Sequence, residues 1–294
     1  MLFLMRWLSR RTLRFLHRLG VAAGWLTYAL SPSYRRRLCV NAGKAGVTAR
    51  QRRASVGEAG KMVFETLRLW LRPPGQPIGD PLHWEGEQVI EECLASGRGL
   101  VLLTPHLGSF EVCAQAYAQR YGRVQPVTVL FRPARYRALR ELEESSRARP
   151  GLATAPATLG GVRQMLRALK RGETIGLLPD QVPPDGLGVW ADFFGAPAYT
   201  MTLAARLAQQ TGAPILLGWC ERLADGAGFK VRVRRLAEAL PLSAAHDDAL
   251  QRAQAETLNR AMQGLIEECP QQYLWGYNRY KTPRALGNAV PPAP

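Results

Sequence analysis

From residue 99 onward, short apolar runs alternate with longer stretches in which apolar positions return every three or four residues. The apolar runs predict strands over 99–104, 126–131, 174–178, 214–221 and 229–236. The longer stretches predict helices over 110–120, 134–147, 159–170, 201–210 and 247–268. Such alternation predicts an α/β domain, a single layered unit with a mostly parallel mixed sheet flanked by helices. The last two strands are joined by "LADGAG", which predicts an antiparallel hairpin. Upstream, Val56, Met62, Val63, Leu67 and Leu71 fall near a helical period, and "RPPGQPIGDP" then breaks the chain. No internal repeat is visible, and the terminal "GNAVPPAP" predicts a loose tail.

The first 37 residues mix apolar and basic positions. The longest uncharged run, 19–34, falls short of the roughly 20 apolar residues that a spanning helix needs. No small-residue cleavage site follows in the secretory arrangement. Trp7, Trp25 and Tyr28 suit a bilayer interface, and Arg10, Arg11, Arg14 and Arg18 are placed to meet lipid headgroups at about 1 kcal/mol each. The expectation is an amphipathic, interfacial or partly inserted membrane-associating segment. An amphipathic core helix with a basic outer face is the plainer alternative.

Charge sharpens that picture. The chain of 294 residues has 39 Lys and Arg against 23 Asp and Glu, a formal net charge of +16, which favours anionic partners. Apolar content is ordinary at 47%, which excludes wholesale disorder and a polytopic membrane protein. Cys39, Cys93, Cys113, Cys220 and Cys269 are scattered and form no CxxC pair, so neither a disulfide framework nor a zinc ribbon is indicated, and a reducing compartment fits.

The chemistry concentrates at three strand ends. "TPHLGSFEVC" carries His106 and, five positions on, Glu111. On one regular helix the two would point apart, but with His106 on the preceding turn and Glu111 in the first helical turns they can meet, and Gly108 eases that turn. A carboxylate there can accept one ring N–H, fix the tautomer and leave the other nitrogen as a base. A satisfied strand-end histidine is the plainer reading of this spacing alone. Ser109 lies outside a G-x-S-x-G elbow, and His17, His83 and His246 lack metal-ligand spacing around His106.

The second segment runs through "LLPDQ", where a strand ends at Asp180 and Gln181, into a Gly/Pro-rich loop and "ADFFG". The end of a strand is where open α/β sheets place their sites. The alternative is a surface loop whose Phe193 and Phe194 fill the core. A helix follows, with Thr200 or Thr202 as its cap. The third segment is "LFRPARYR". Its Arg132 lies at the same sheet edge if the strands are parallel, suited to a phosphate or a developing oxyanion, or else a solvated loop cation.

Taken together, "TPHLGSFE", "LFRP", "LLPDQ...GVWADFFG", "YTMTLAARLAQQTGAPI" and "CPQQYLWGYNRYKTP" resemble the lipid A biosynthesis lauroyl/myristoyl (late) acyltransferases, a branch of the lysophospholipid acyltransferase superfamily. The resemblance covers the chain from its basic, apolar start to near Pro283 and rests on the ordered set of motifs. It implies a glycerolipid acyltransferase-like fold, with residues 1–35 as the membrane-associating segment, 36–283 as the acyltransferase domain and 284–294 as a flexible tail. It implies His106 as general base and Glu111 as its orienting partner, with Arg132, Asp180 and Gln181 binding substrate. Where some lipid A enzymes have D-x-D, this chain has Asp180, Gln181 and Val182, so no second acid carries over.

The implied reaction moves an acyl chain from an acyl carrier protein thioester to a hydroxyl of a Kdo-bearing lipid A precursor, without metal or cofactor. The implied location is the bacterial inner membrane, with the catalytic domain on its cytoplasmic side. Acidic carrier, phosphorylated lipid and anionic membrane surface all suit the +16 charge. A glycerolipid or amino-lipid O-acyltransferase is the alternative within the superfamily. A nucleic-acid-binding role finds no recognised motif here, so no nucleic acid is expected as a partner.

Overall fold

A computed structural model describes residues 2–73, 76–78, 82–131, 149–243 and 247–284. Arg132 and the helix predicted at 134–147 lie outside the described residues, as does most of the expected tail.

Four helices come first: α1 (Leu2–Ser9), α2 (Leu13–Leu30), α3 (Pro32–Lys44) and α4 (Ala49–Leu71). Their starts are written in the sequence. Thr12, Ser31 and Thr48 each accept a backbone N–H at the N-cap, and Gln51 completes a capping box with Thr48. Helices α2 and α4 approach until backbone meets backbone. A Cβ built on Gly60 would lie 1.9 Å from the Gly20 carbonyl oxygen, and one on Gly24 would lie 2.3 Å from that of Val56. Glycine is therefore a packing requirement at these positions. Residue 35, where the membrane-associating segment was expected to end, falls inside α3.

The remainder is a seven-stranded sheet between helical layers. Its strands are β1 (Leu82–Glu85), β2 (Leu100–Leu103), β3 (Val127–Phe131), β4 (Leu152–Pro156), β5 (Thr174–Leu177), β8 (Ile215–Arg222) and β9 (Phe229–Arg235), and β6 (Gly188–Phe193) pairs with β7 (Ala196–Met201) in a separate hairpin. The large sheet has the order β1-β9-β8-β2-β5-β3-β4. All its pairs are parallel except β8 with β9, the hairpin predicted from "LADGAG". The helices among them are α5 (Glu87–Ala95), α6 (Phe110–Tyr121), α7 (Leu159–Lys170), α8 (Leu203–Thr211) and α9 (Asp248–Glu268).

Strand β2 is buried along its whole length, yet its alternation still sorts the layers. Val101 and Leu103 join the core formed with α7, α8 and α9; Leu100 and Leu102 join the one formed with α5 and α6. Strands β1 and β4, helix α5 and the β6–β7 hairpin were not anticipated. The stretch read as a loop ending in "FFG" is that hairpin, turning at Phe194 (φ 50°) and Gly195 (φ 69°). Thr202 rather than Thr200 stands at the start of α8, though its side chain makes no capping bond, and Thr200 lies in β7.

Candidate active site

Sheet register brings the site together. In β2 and β5, Leu103 is paired with Leu177. Three residues beyond each of these, past the carboxyl ends of two adjacent parallel strands, stand His106 and Asp180. This is the crevice where open α/β sheets carry their chemistry.

The turn that holds His106 is pinned from both sides. The Leu274 N–H donates to the His106 carbonyl at 3.1 Å, the Gly108 N–H to Gln272 at 3.0 Å, and the Ser109 N–H to the Cys220 carbonyl at 2.8 Å. Gly108 has φ +60°, and a Cβ there would lie 2.0 Å from the Cys220 carbonyl oxygen. Only glycine fits that corner.

The His106 ring is held by Asp180. The backbone N–H of His106 donates to Asp180 Oδ2 at 2.9 Å, and Nδ1 lies 2.8 Å from Oδ1. A carboxylate only accepts, so Nδ1 carries the proton and Nε2 presents a lone pair. That lone pair meets the side-chain amide nitrogen of Gln181 at 2.9 Å, which donates to it. The Tyr273 hydroxyl donates to Asp180 Oδ2 at 3.1 Å. Burial alone would raise the Asp180 carboxyl; pairing with His106, then the charge of Arg279, outweighs burial and holds it below its ordinary value. Burial, and next the Asp180 charge, push the Tyr273 phenol well above its ordinary range, so it stays a donor. The His106 side chain retains 13% exposure, which leaves it reachable from solvent, while Asp180 is at 2%. Phe110 packs on the imidazole with ring centroids 4.7 Å apart.

Glu111 was expected to accept the ring N–H, and the geometry assigns that bond elsewhere: both nitrogens of His106 are taken, by Asp180 and Gln181. Glu111 sits in the first turn of α6, and its Oε2 accepts the Trp70 indole N–H at 3.2 Å. The structure thus brings His106, Asp180 and Gln181 together, and aims Glu111 at the end of α4. Among the described residues the buried Ser109 hydroxyl has no hydrogen-bond partner, and so no base set to activate it.

Sequence reasoning assigned no role to the residues that support this arrangement. Tyr273 lies in the aromatic closing block, and the Tyr277 hydroxyl accepts the Val182 N–H at 3.0 Å. Helix α3 holds that block, since Asn41 Nδ2 donates to the carbonyls of Trp275 at 2.8 Å and Tyr277 at 2.7 Å. A buried ion cluster lies behind the His106 turn. Arg222 donates to Glu65 through Nε at 2.7 Å and Nη2 at 2.6 Å, and through Nη1 to Glu58 at 2.7 Å. It also reaches the Gly108 carbonyl at 3.2 Å, and His17 Nε2 meets Glu65 Oε2 at 2.9 Å. The closing block had been visible only as a motif, and the distant partners of Arg222 carry no spacing signal.

A histidine held as a neutral base at the end of a parallel strand suits removal of a proton from a substrate hydroxyl. The family model described as bacterial lipid A biosynthesis acyltransferase matches residues 48–282. The chain belongs to that family. It is an acyltransferase, similar to the lipid A biosynthesis lauroyltransferase of Escherichia coli K12 (26% identical over 289 residues, 90% of each chain). It is also similar to the lipid A biosynthesis palmitoleoyltransferase of the same organism, at 24% identity over 231 residues, 78% of this chain and 71% of the relative. A phosphatidylinositol mannoside acyltransferase of Mycobacterium tuberculosis H37Rv is 30% identical over 146 residues, 48% of this chain and 45% of the relative. The matched span encloses His106, Asp180 and the closing aromatic block.

Proposed function

We propose that the protein transfers a fatty acyl chain from an acyl carrier protein thioester to a hydroxyl of a Kdo-bearing lipid A precursor, at the cytoplasmic face of the bacterial inner membrane. The observation that carries this reading is the His106 imidazole, fixed by Asp180 in the tautomer of a base, within a family named for lipid A acylation. The acceptor hydroxyl displaces the Gln181 amide from Nε2 and gives its proton to His106 as its oxygen attacks the thioester carbonyl carbon. The tetrahedral oxyanion is met by N–H donors, for which Gln181 and Arg132 are the candidates. The intermediate collapses, the C–S bond breaks, and the carrier thiolate takes the proton from the imidazolium. Asp180 stabilises that cation throughout. The reaction requires no cofactor beyond the acyl donor.

Membrane association is supported by the surface of α1 and α2. Among the described residues no helix is long and apolar enough to cross a membrane. Leu4, Trp7, Phe15, Leu19, Trp25, Leu26 and Leu30 are exposed there, interleaved with Arg6, Arg10 and Arg18. Exposed aromatic and aliphatic side chains among arginines fit a helix pair lying in the headgroup region.

The deciding experiment incubates the full chain in detergent micelles with acyl–acyl carrier protein and Kdo-bearing lipid A precursor, and reads the lipid by mass spectrometry. A gain of one acyl group, absent with His106→Ala, supports the proposal; an unchanged lipid mass with active donor and folded protein overturns it. The match to a phosphatidylinositol mannoside acyltransferase favours one second reading, a glycosylated phospholipid acceptor. That lipid belongs in a parallel reaction.

A further inference from the structure

Trp70, whose indole N–H donates to Glu111, also lines a cleft of about 700 Å³. Arg6 of α1, Arg10 just past that helix, Arg68 of α4, Arg72 just past the end of α4, and Arg149 line it together with Trp70. Among the described residues no Asp or Glu lines it.

Part of this charge is structural. Arg149 Nη2 donates to the carbonyls of Leu69 at 3.3 Å, Trp70 at 3.4 Å and Arg72 at 2.7 Å, closing the C-terminus of α4. Arg68 Nη1 donates to the Arg11 carbonyl at 2.8 Å. Arg72 is different. Its Nε and Nη1 are buried with no hydrogen-bond partner among the described residues. Burial first, then the like charges of Arg149 and Arg68, bring its guanidinium down to about 10, which still leaves it cationic at neutral pH. A half-buried cation among cations, with two buried donors unspent, costs stability unless an anion completes it.

We propose that this cleft is a subsite for a phosphate group of the acceptor lipid. Guanidinium forks match phosphate oxygens, and several converging arginines outcompete its hydration. The lipid, rather than the acyl donor, is the source favoured by α1. That helix and the residue after it place Arg6 and Arg10 on the cleft, while the helix exposes Leu4 and Trp7, so cationic groups for a headgroup and an apolar surface meet on one segment. Trp70 then links the subsite to the reaction centre, because its indole N–H is held by Glu111, beside the Phe110 ring that packs on His106. The inference rests on the acceptor reading above only for what carries the phosphate.

The test uses full-length protein in neutral detergent micelles, titrated with a bisphosphorylated tetraacyl glucosamine disaccharide lipid and with its phosphate-free counterpart. Tryptophan fluorescence follows binding, with Trp70→Phe as the assignment control. The expected result is binding of the phosphorylated lipid at least about tenfold tighter than of the phosphate-free one, with Arg72→Gln removing most of that difference. Because Arg72 closes a helix end, Arg6→Gln combined with Arg10→Gln is a second variant at exposed positions, expected to move affinity the same way. Equal binding of both lipids by wild type, or discrimination unchanged in both variants, overturns the subsite. A rise in KM for acyl–acyl carrier protein in Arg72→Gln, with lipid affinity unmoved, assigns the cleft to the donor's phosphodiester and equally overturns it. Phosphate-dependent, Arg72-dependent binding without acyl transfer to this lipid would sustain the subsite and sink the proposed acceptor.

Discussion

Asp180 holds His106 at two points: Oδ1 takes the ring at 2.8 Å and Oδ2 takes the backbone N–H at 2.9 Å. The carboxylate therefore fixes the position of the residue and the tautomer of its ring together. The pairing follows from the register of β2 and β5, in which Leu103 opposite Leu177 places the two residues level beyond the strand ends.

Asp180→Asn should keep the fold and much of the geometry but remove the acceptor that keeps the proton on Nδ1. Turnover is expected to fall by about two to four orders of magnitude, with His106→Ala falling at least about two, while lipid binding stays within about twofold. Steady-state kinetics with a separate binding titration check this. Turnover within threefold of wild type for Asp180→Asn would remove Asp180 from the mechanism.

Glu111 and Asp180 are separable by proton NMR. An imidazole N–H donating to a carboxylate resonates far downfield. The His106 signal, assigned by its loss in His106→Gln, should vanish in Asp180→Asn and persist in Glu111→Gln, which changes the acceptor of the Trp70 indole but not that of the His106 ring. The reverse pattern would restore the ring bond to Glu111.

Much of this was legible in the chain because the signals are local. The five strands around the site and the helix at α7 follow from apolar runs and helical spacing. The β6–β7 hairpin was hidden because its two-residue turn puts Phe194, not Asn or Gly, at φ 50°. Tertiary contacts supply that turn's missing propensity: the Phe194 N–H donates to Gln263 Oε1 at 2.9 Å. The choice of Asp180 over Glu111 was hidden because strand register is not written in either motif. The Arg222 cluster joins residues 157 and 164 positions apart, beyond any spacing rule.

Gly60→Ala should destabilise the protein by roughly 1–3 kcal/mol or more, because its new Cβ would meet the Gly20 carbonyl at 1.9 Å and force α2 off α4. Urea unfolding measures this. Gly43→Ala is the control, since nothing lies within 4 Å of a Cβ there. Equal midpoints for the two variants would deny the close approach of the helices.

Membrane association is best tested at exposed positions. Deleting 1–30 would remove His17 and Gly20, which pack inside, and confuse unfolding with release. Trp25→Ser with Leu26→Ser touches side chains that are 42% and 60% exposed. The pair should lower partition into anionic vesicles severalfold without shifting the unfolding midpoint. Undiminished partition would count against α2 as the contacting surface.

The last prediction concerns acid. Burial alone would raise the Glu65 carboxyl, but Arg222 first, and then His17, outweigh it and hold it at about 2 against a usual 4.5. A depressed carboxyl stabilises the fold above its unfolded value, and that contribution disappears as pH falls from about 4.5 toward 2. The difference corresponds to about 3 kcal/mol. Glu65→Gln leaves the Arg222 charge buried with one carboxylate fewer, at a cost of about 3–5 kcal/mol near neutral pH. The stability gap between wild type and Glu65→Gln should therefore be widest above pH 5 and shrink toward pH 3, read by urea unfolding at each pH. Arg222 also holds the Gly108 carbonyl at 3.2 Å, so the variant should lose turnover as well as stability, through slack in the turn that carries His106. A gap that stays constant with pH would show that Glu65 does not carry this charge in the folded protein.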